Sequence, residues 1–251
     1  MKQRVITAVV ALLALLAVLF YVPAAATQSV FALVVLAGAW EWSAFLRSGG
    51  LPVRLLYVAI IGGCLAGLTF LPGIDVQSVF VASMVGWLCA LLWTFFYPTP
   101  IPGAVRWLGG VIVLVPLYPA LVTLYSAGPE VLLFALLIVW VADSGAFFAG
   151  KSLGRVKLAP AISPGKTWEG VVGGLALVAV LAVGIGIWQR LDIAVLLPFF
   201  LAVAAISIVG DLTVSMFKRT AGVKDSGSLF PGHGGVLDRV DSVAAASPLF
   251  A

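Results

Sequence analysis

The chain has 251 residues, 63% of them hydrophobic and 10% charged, with a net charge of +4 and a mean hydropathy of +1.19. A water-soluble domain carries about 25% charged residues, so this composition excludes one, along with a disordered chain and a coiled coil; two cysteines exclude a disulfide scaffold or a Cys-rich zinc site. At about 20 residues per membrane span, eight or nine helices with short loops consume the sequence, and any chemistry sits in those loops or on the helices.

Apolar runs of spanning length cover residues 5–22, 29–46, 55–71, 78–97, 107–125, 131–148, 171–188 and 193–209. Pro- and Gly-rich breaks separate them, and residues 240–251 read as the start of a ninth helix that stops early. The expected fold is an all-α polytopic membrane bundle of eight to nine transmembrane helices. It divides into five N-terminal spans (1–130) and a catalytic region (131–251) with polar loops at 149–170 and 210–240. Lys2, Arg4 and the small residues Ala24 to Ala26 mimic a secretory signal. The first run has 18 residues, longer than a signal core of about 7–15, so an uncleaved first helix is expected.

Positive charge sets the expected orientation. With the N-terminus cytoplasmic, 13 of the 14 lysines and arginines fall on cytosolic segments, and only Arg190 lies opposite. Both long polar loops then face the cytosol and can build one site. Fifteen of the 24 charged residues lie beyond residue 150. That asymmetry disfavours a two-repeat transporter, the rival from another class, which would place charges near the midplane of both halves.

Ionisable groups within spans are functional candidates. Glu41, Asp143 and Asp211 qualify; Glu41, near Trp40 and Arg47, is read as an ordinary interface carboxylate, whereas Asp143 and Asp211 each border a polar loop. In the first loop, Ser163-Pro-Gly-Lys166-Thr167 places a hydroxyl, a turn and a lysine before a helix start, where exposed amides favour anions. A soluble phosphate-binding loop is excluded, because Pro160 breaks its glycine pattern and no strand is expected before it. Glu169 complements the helix dipole.

The second loop holds Asp211, Ser215, Lys218, Arg219, Lys224, Asp225, His233 (the only histidine), Asp238, Arg239 and Asp241. Asp238 and Asp241, three apart, share a helix face. Two or three carboxylates with nearby hydroxyls form a hard-oxygen site suited to Mg²⁺. The four basic residues would neutralise phosphate charge, and glycines around His233 let backbone approach a ligand closely. The residues alone define a metal-assisted site for a polyphosphate at a membrane surface, suited to phosphoryl or nucleotidyl transfer to a lipid.

The run Ser215-Met-Phe-Lys218-Arg219, then Lys224-Asp225-x-Gly227-x-x-Phe230-Pro231-x-His233-Gly234-Gly235-Val236-x-Asp238-Arg239-Val240-Asp241, resembles the signature of the phosphatidate cytidylyltransferase family. Residues 163–170 are similar to that family as well. The resemblance implies condensation of CTP with phosphatidate to CDP-diacylglycerol and pyrophosphate, in the bacterial inner membrane with the site facing the cytosol. It implies Mg²⁺ and leaves room for a second cation. By it Asp211 and Asp238 bind metal with Asp241 as helper, and Lys166, Lys218, Arg219, Lys224 and Arg239 hold phosphates. Ser163, Ser215 and Asp225 become substrate contacts, and His233 binds phosphate or braces its turn. The lipid phosphate is the nucleophile, so no protein nucleophile or general base is needed. Partners are CTP, phosphatidate and the bilayer, with no nucleic acid; a homodimer stays open, since no helix face identifies one. Val214 stands where many relatives carry an acidic residue, which weakens a second metal site, and relatives continue through a final helix beyond the position of Ala251. Within enzymes, the signature argues against a lipid-alcohol kinase, while an archaeal ether-lipid cytidylyltransferase stays open.

Overall fold

A computed structural model describes residues 2–46, 50–229 and 234–251. In chain order it contains α1 (Lys2–Tyr21), α2 (Ala24–Trp42), a 3-10 turn (Ser43–Leu46), α3 (Gly50–Phe70), α4 (Val76–Phe96), α5 (Gly103–Leu114), α6 (Leu117–Ala127) and α7 (Pro129–Leu153). The strands β1 (Lys157–Ala159) and β2 (Ser163–Thr167) follow, then α8 (Trp168–Gln189), α9 (Ile193–Ala221) and α10 (Leu237–Phe250).

A bilayer core supplies no water to backbone groups, so apolar runs close their own hydrogen bonds as helices. Among the described residues, seven segments are long and apolar enough to cross a membrane, and α1 adds a shorter apolar helix, Ile6–Tyr21. The protein is a polytopic, all-α membrane bundle. The fifth expected span is one crossing in two pieces. Pro116, which has no N–H to donate and crowds the preceding turn, separates α5 from α6. The expected start of a ninth span is α10, 14 residues long. It is too short to cross and is packed within the bundle against α9, α6, α4 and α7.

Both polar loops differ from expectation. Residues 210–221 continue α9, which ends where Gly222 takes a left-handed conformation (φ 79°). α7 likewise runs on to Leu153, and residues 157–167 form a two-stranded antiparallel hairpin. The expectation of no strand before Lys166 is therefore wrong. The hairpin is nonetheless no nucleotide-binding βα unit, because its strands are antiparallel and joined by a three-residue turn.

Two close helix contacts place the carboxylates. α7 and α8 meet through small residues: a Cβ at Gly145 would lie 2.9 Å from the Gly173 carbonyl oxygen, and one at Gly174 would lie 2.7 Å from that of Ala142. Small residues let membrane helices approach at backbone distance, which seats Asp143 beside the hairpin. On α9, a Cβ at Gly210 would run into the Asp241 carbonyl oxygen. The absent side chain brings the start of α10 against Asp211. From the N-terminal half, Trp42 packs on Phe217 of α9, with ring centroids 4.8 Å apart, and its Nε1 donates to the Arg106 carbonyl at 2.9 Å.

Candidate active site

The C-terminal ends of α2, α7 and α9, the N-terminal ends of α8 and α10, and the hairpin converge on one end of the bundle. There all of these but α2 contribute to the wall of a cavity of about 710 Å³, a wall that includes Asp143, Lys166, Asp211, Lys218, Asp238 and Asp241. Each side chain arrives by a local rule. Thr167 caps α8 by accepting the Gly170 amide at 3.1 Å, which ends β2 one residue after Lys166. Asp211, Ser215 and Lys218 recur at helical spacing on α9, and Ser215 Oγ donates to Asp211 Oδ1 at 3.1 Å.

Two ion pairs organise the charge. Lys166 Nζ lies 2.7 Å from Asp211 Oδ2, with both side chains partly exposed to the cavity. Lys218 Nζ lies 2.8 Å from Asp238 Oδ1, and here both side chains are buried. Asp238 Oδ2 also accepts the Ser226 and Gly235 amides, each at 2.9 Å. Burial pushes the Asp238 carboxyl up, but the Lys218 ammonium and these amides outweigh it and hold the group below its ordinary value. Asp241 is buried in the next turn of α10, on the same cavity wall.

The expected residues divide into two groups. Asp143, Lys166, Asp211, Lys218, Asp225, Asp238, Arg239 and Asp241 all line the cavity. Others sit around it. Ser163 is paired in the hairpin opposite Ala159, and Ser215 is buried behind Asp211. Glu169 accepts the Val156 amide with both oxygens, at 3.2 Å each, closing the foot of the hairpin. Arg219 turns away: its Nε donates to the Ile162 carbonyl at 3.0 Å and its Nη1 to that of Val223 at 3.3 Å. Lys224 is exposed, and His233 lies outside the described residues. Val214 is fully buried.

Two residues escaped the sequence reading. Lys151, on the last turn of α7, lines the cavity; its only signal was its place in a polar loop. Glu41 is no interface carboxylate, for it is buried and accepts hydrogen bonds from Ser226, Val236 and Leu237. Arg54 lies over the Trp40 ring, 5.4 Å from its centroid, and Arg47 lies outside the described residues.

Among the described residues, no three Asp, Glu, His or Cys side chains form a ready-made metal cage. The donor chemistry fits a hard divalent cation nonetheless. The cavity presents carboxylate oxygens from Asp143, Asp211, Asp238 and Asp241, and two of these already bind cationic ammonium groups. A second cavity of about 460 Å³ shares Asp143, Asp238, Arg239 and Asp241 with the first and continues along α1 past Thr7, Ala11 and Leu15. Polar at one end and apolar along its length, it extends the charged site between α1 and the facing residues of α7 and α10.

Fold and cavities together describe a polytopic membrane bundle with a cavity of charged side chains at one end. The chain matches the model of the Cytidylyltransferase family over residues 2–251, and it belongs to that family. It is 40% identical over 260 residues to the phosphatidate cytidylyltransferase of Pseudomonas aeruginosa, covering 100% of this chain and 96% of that protein. It is 37% identical over 287 residues to that of Haemophilus influenzae, covering 100% and 97%. The Staphylococcus aureus enzyme of the same name shares 46% over 126 residues, about half of each chain.

Proposed function

We propose that the chain condenses CTP with phosphatidate to give CDP-diacylglycerol and pyrophosphate, at the cytosolic face of a bacterial inner membrane. The supporting observation is a charged cavity that shares Asp143, Asp238, Arg239 and Asp241 with a second, more apolar cavity along α1, in a chain similar over its whole length to relatives bearing that name. The concentration of lysines and arginines at the cavity end supports the orientation.

In this reading a phosphate oxygen of the lipid attacks the α-phosphorus of CTP. The bond from that phosphorus to the β-phosphate oxygen breaks, and pyrophosphate leaves with the electron pair. The attacking oxygen is already ionised, so no side chain has to remove a proton. Lys166, Lys218 and Arg239 neutralise triphosphate and lipid phosphate charge, and Lys151 extends that field at the rim. Catalysis then rests on alignment and on charges fixed before the reaction begins. Asp211, with Asp143, Asp238 and Asp241 around it, would hold Mg²⁺, which would supply charge neutralisation for the reacting phosphates. As phosphates enter, the ammonium groups of Lys166 and Lys218 can exchange a carboxylate partner for a phosphate one without leaving the cavity. The apolar groove along α1 receives the acyl chains.

The test is CTP- and Mg²⁺-dependent pyrophosphate release by the purified protein, with phosphatidate in detergent or vesicles. Labelling of a lipid alcohol by ATP, with CTP inert, would replace this reading by a kinase. Turnover of an ether-linked lipid phosphate in preference to phosphatidate would move the substrate to the archaeal class.

A further inference from the structure

We infer that Glu41 is a positioning residue for the proposed transfer, holding the Asp238 side of the cavity from the N-terminal half of the chain; the inference rests on that reading of the reaction. Glu41 is 8% exposed and lies outside the cavity lining, so it acts through other groups. Its Oε1 accepts the Val236 amide at 3.0 Å, while its Oε2 accepts the Leu237 amide at 2.8 Å and the Ser226 hydroxyl at 2.9 Å. The two amides belong to the unpaired first turn of α10, which has no side-chain cap of its own. A carboxylate remote in sequence thus serves as the missing cap, placed where the helix dipole favours negative charge.

The surrounding backbone is shaped to this carboxylate. A Cβ on Gly227 or Gly235 would run into the Glu41 oxygens. Gly234, at φ 80°, would collide with Asp238 Oδ2 in the same way. Gly227, Gly234 and Gly235 thus let the chain wrap around two of its own carboxylates, Glu41 on one side and Asp238 on the other. The next residue completes the arrangement: Trp42 packs on Phe217, which precedes Lys218 on α9. Consecutive residues of α2 therefore hold both partners of the Lys218–Asp238 pair, one through the α10 turn and the other through α9. Charge matters as well as shape. Three donors converge on two oxygens, and a glutamine would offer one acceptor oxygen and two further donors.

The experiment uses full-length protein carrying Glu41→Gln, Glu41→Ala, Gly227→Ala, Ser226→Ala or the Glu41→Ala/Gly227→Ala pair. Hydrogen exchange is followed in the peptide containing residues 235–237, and kcat and KM for CTP are normalised to folded protein. The expected result for Glu41→Gln is faster exchange there and a kcat lowered about tenfold or more, with KM within about twofold. A merely structural role would lower yield and melting temperature while kcat per folded molecule stayed at the wild-type value, and that outcome overturns the inference. Gly227→Ala is expected to cost about tenfold alone and under about twofold beside Glu41→Ala, where its methyl group has room. Equal cost in both backgrounds overturns it. Ser226→Ala removes one of three donors and is the mild variant should the others not fold. It lowers kcat about threefold if the anchor acts, and an unchanged kcat overturns it. Exchange is read without substrate. Wild-type protein protected at residues 235–237 but inert toward CTP and phosphatidate refutes the reaction and leaves the anchor standing; active protein without protection refutes the anchor alone.

Discussion

Lys166 on β2 reaches 2.7 Å from Asp211 on α9, so the hairpin and the longest helix of the bundle meet through opposite charges at the cavity wall. Both side chains remain partly exposed, and each is free to take a better partner when charged ligands arrive. Under the proposed mechanism the two halves of the pair have separable roles. Asp211→Asn should lower kcat about 10²–10³-fold, the usual cost of removing a fixed electrostatic group, and should flatten the dependence of rate on Mg²⁺ concentration. Lys166→Gln should keep the Mg²⁺ dependence and raise KM for CTP. Titrating Mg²⁺ against pyrophosphate release in both variants checks the division, and identical Mg²⁺ profiles would defeat it.

The Lys218–Asp238 pair obeys a different rule because both side chains are buried. Removing one partner of a buried pair strands the other charge and costs about 3–5 kcal/mol, whereas replacing both with apolar groups costs far less. Lys218→Met should therefore lower the thermal unfolding midpoint well below that of Lys224→Met, whose lysine is exposed. Lys218→Met/Asp238→Leu should recover only part of that loss, since the Ser226 and Gly235 amides also lose their acceptor. Activity should stay abolished in the double variant. Thermal scans with fluorescence detection, beside the rate assay, test both statements.

Hydropathy alone carried the bundle, because span length and backbone satisfaction leave an apolar run few alternatives. It missed the extension of α9 through residues 210–221. Polar residues there suggested a loop, yet Asp211, Ser215 and Lys218 share one face of a helix whose intervening Leu212, Val214, Met216 and Phe217 are buried in the core, so their helical periodicity was hidden by composition. The carboxylates lining the cavity were legible because charge is scarce in this chain. The roles of Arg219 and Glu41 were not. Each bonds backbone from a distant segment, and no local spacing records such a contact. The hairpin was hidden for a related reason, since its strands contain only three and five residues and the second includes a proline and a glycine.

If the groove along α1 receives acyl chains, filling it should separate the two substrates. Ala11 lies on its wall, and Ala11→Trp places an indole in that space without touching the charged chamber. The expected outcome is a KM for phosphatidate raised about tenfold, with KM for CTP unchanged. That factor corresponds to about 1.4 kcal/mol of binding, within what a few buried methylenes supply. A short-chain phosphatidate should be less affected than a long-chain one. Equal inhibition at all chain lengths would place the acyl chains elsewhere.

Arg219 provides the sharpest separation between motif and geometry. The resemblance makes it a phosphate-binding cation, but its Nε and Nη1 are engaged by the Ile162 and Val223 carbonyls. It thereby ties the tip of the hairpin to the end of α9 and holds Lys166 over Asp211. Arg219→Ala should free the hairpin. Trypsin should then cleave faster after Arg155 or Lys157, and KM for CTP should rise about three- to tenfold through misplacement of Lys166, within the usual range for one or two lost hydrogen bonds. Arg219→Lys should not restore the wild-type state, because one ammonium cannot reproduce two donors fixed by the guanidinium fork. Tryptic cleavage at the wild-type rate, with CTP binding weakened more than about 100-fold, would show instead that Arg219 leaves its carbonyl partners and grips a phosphate directly.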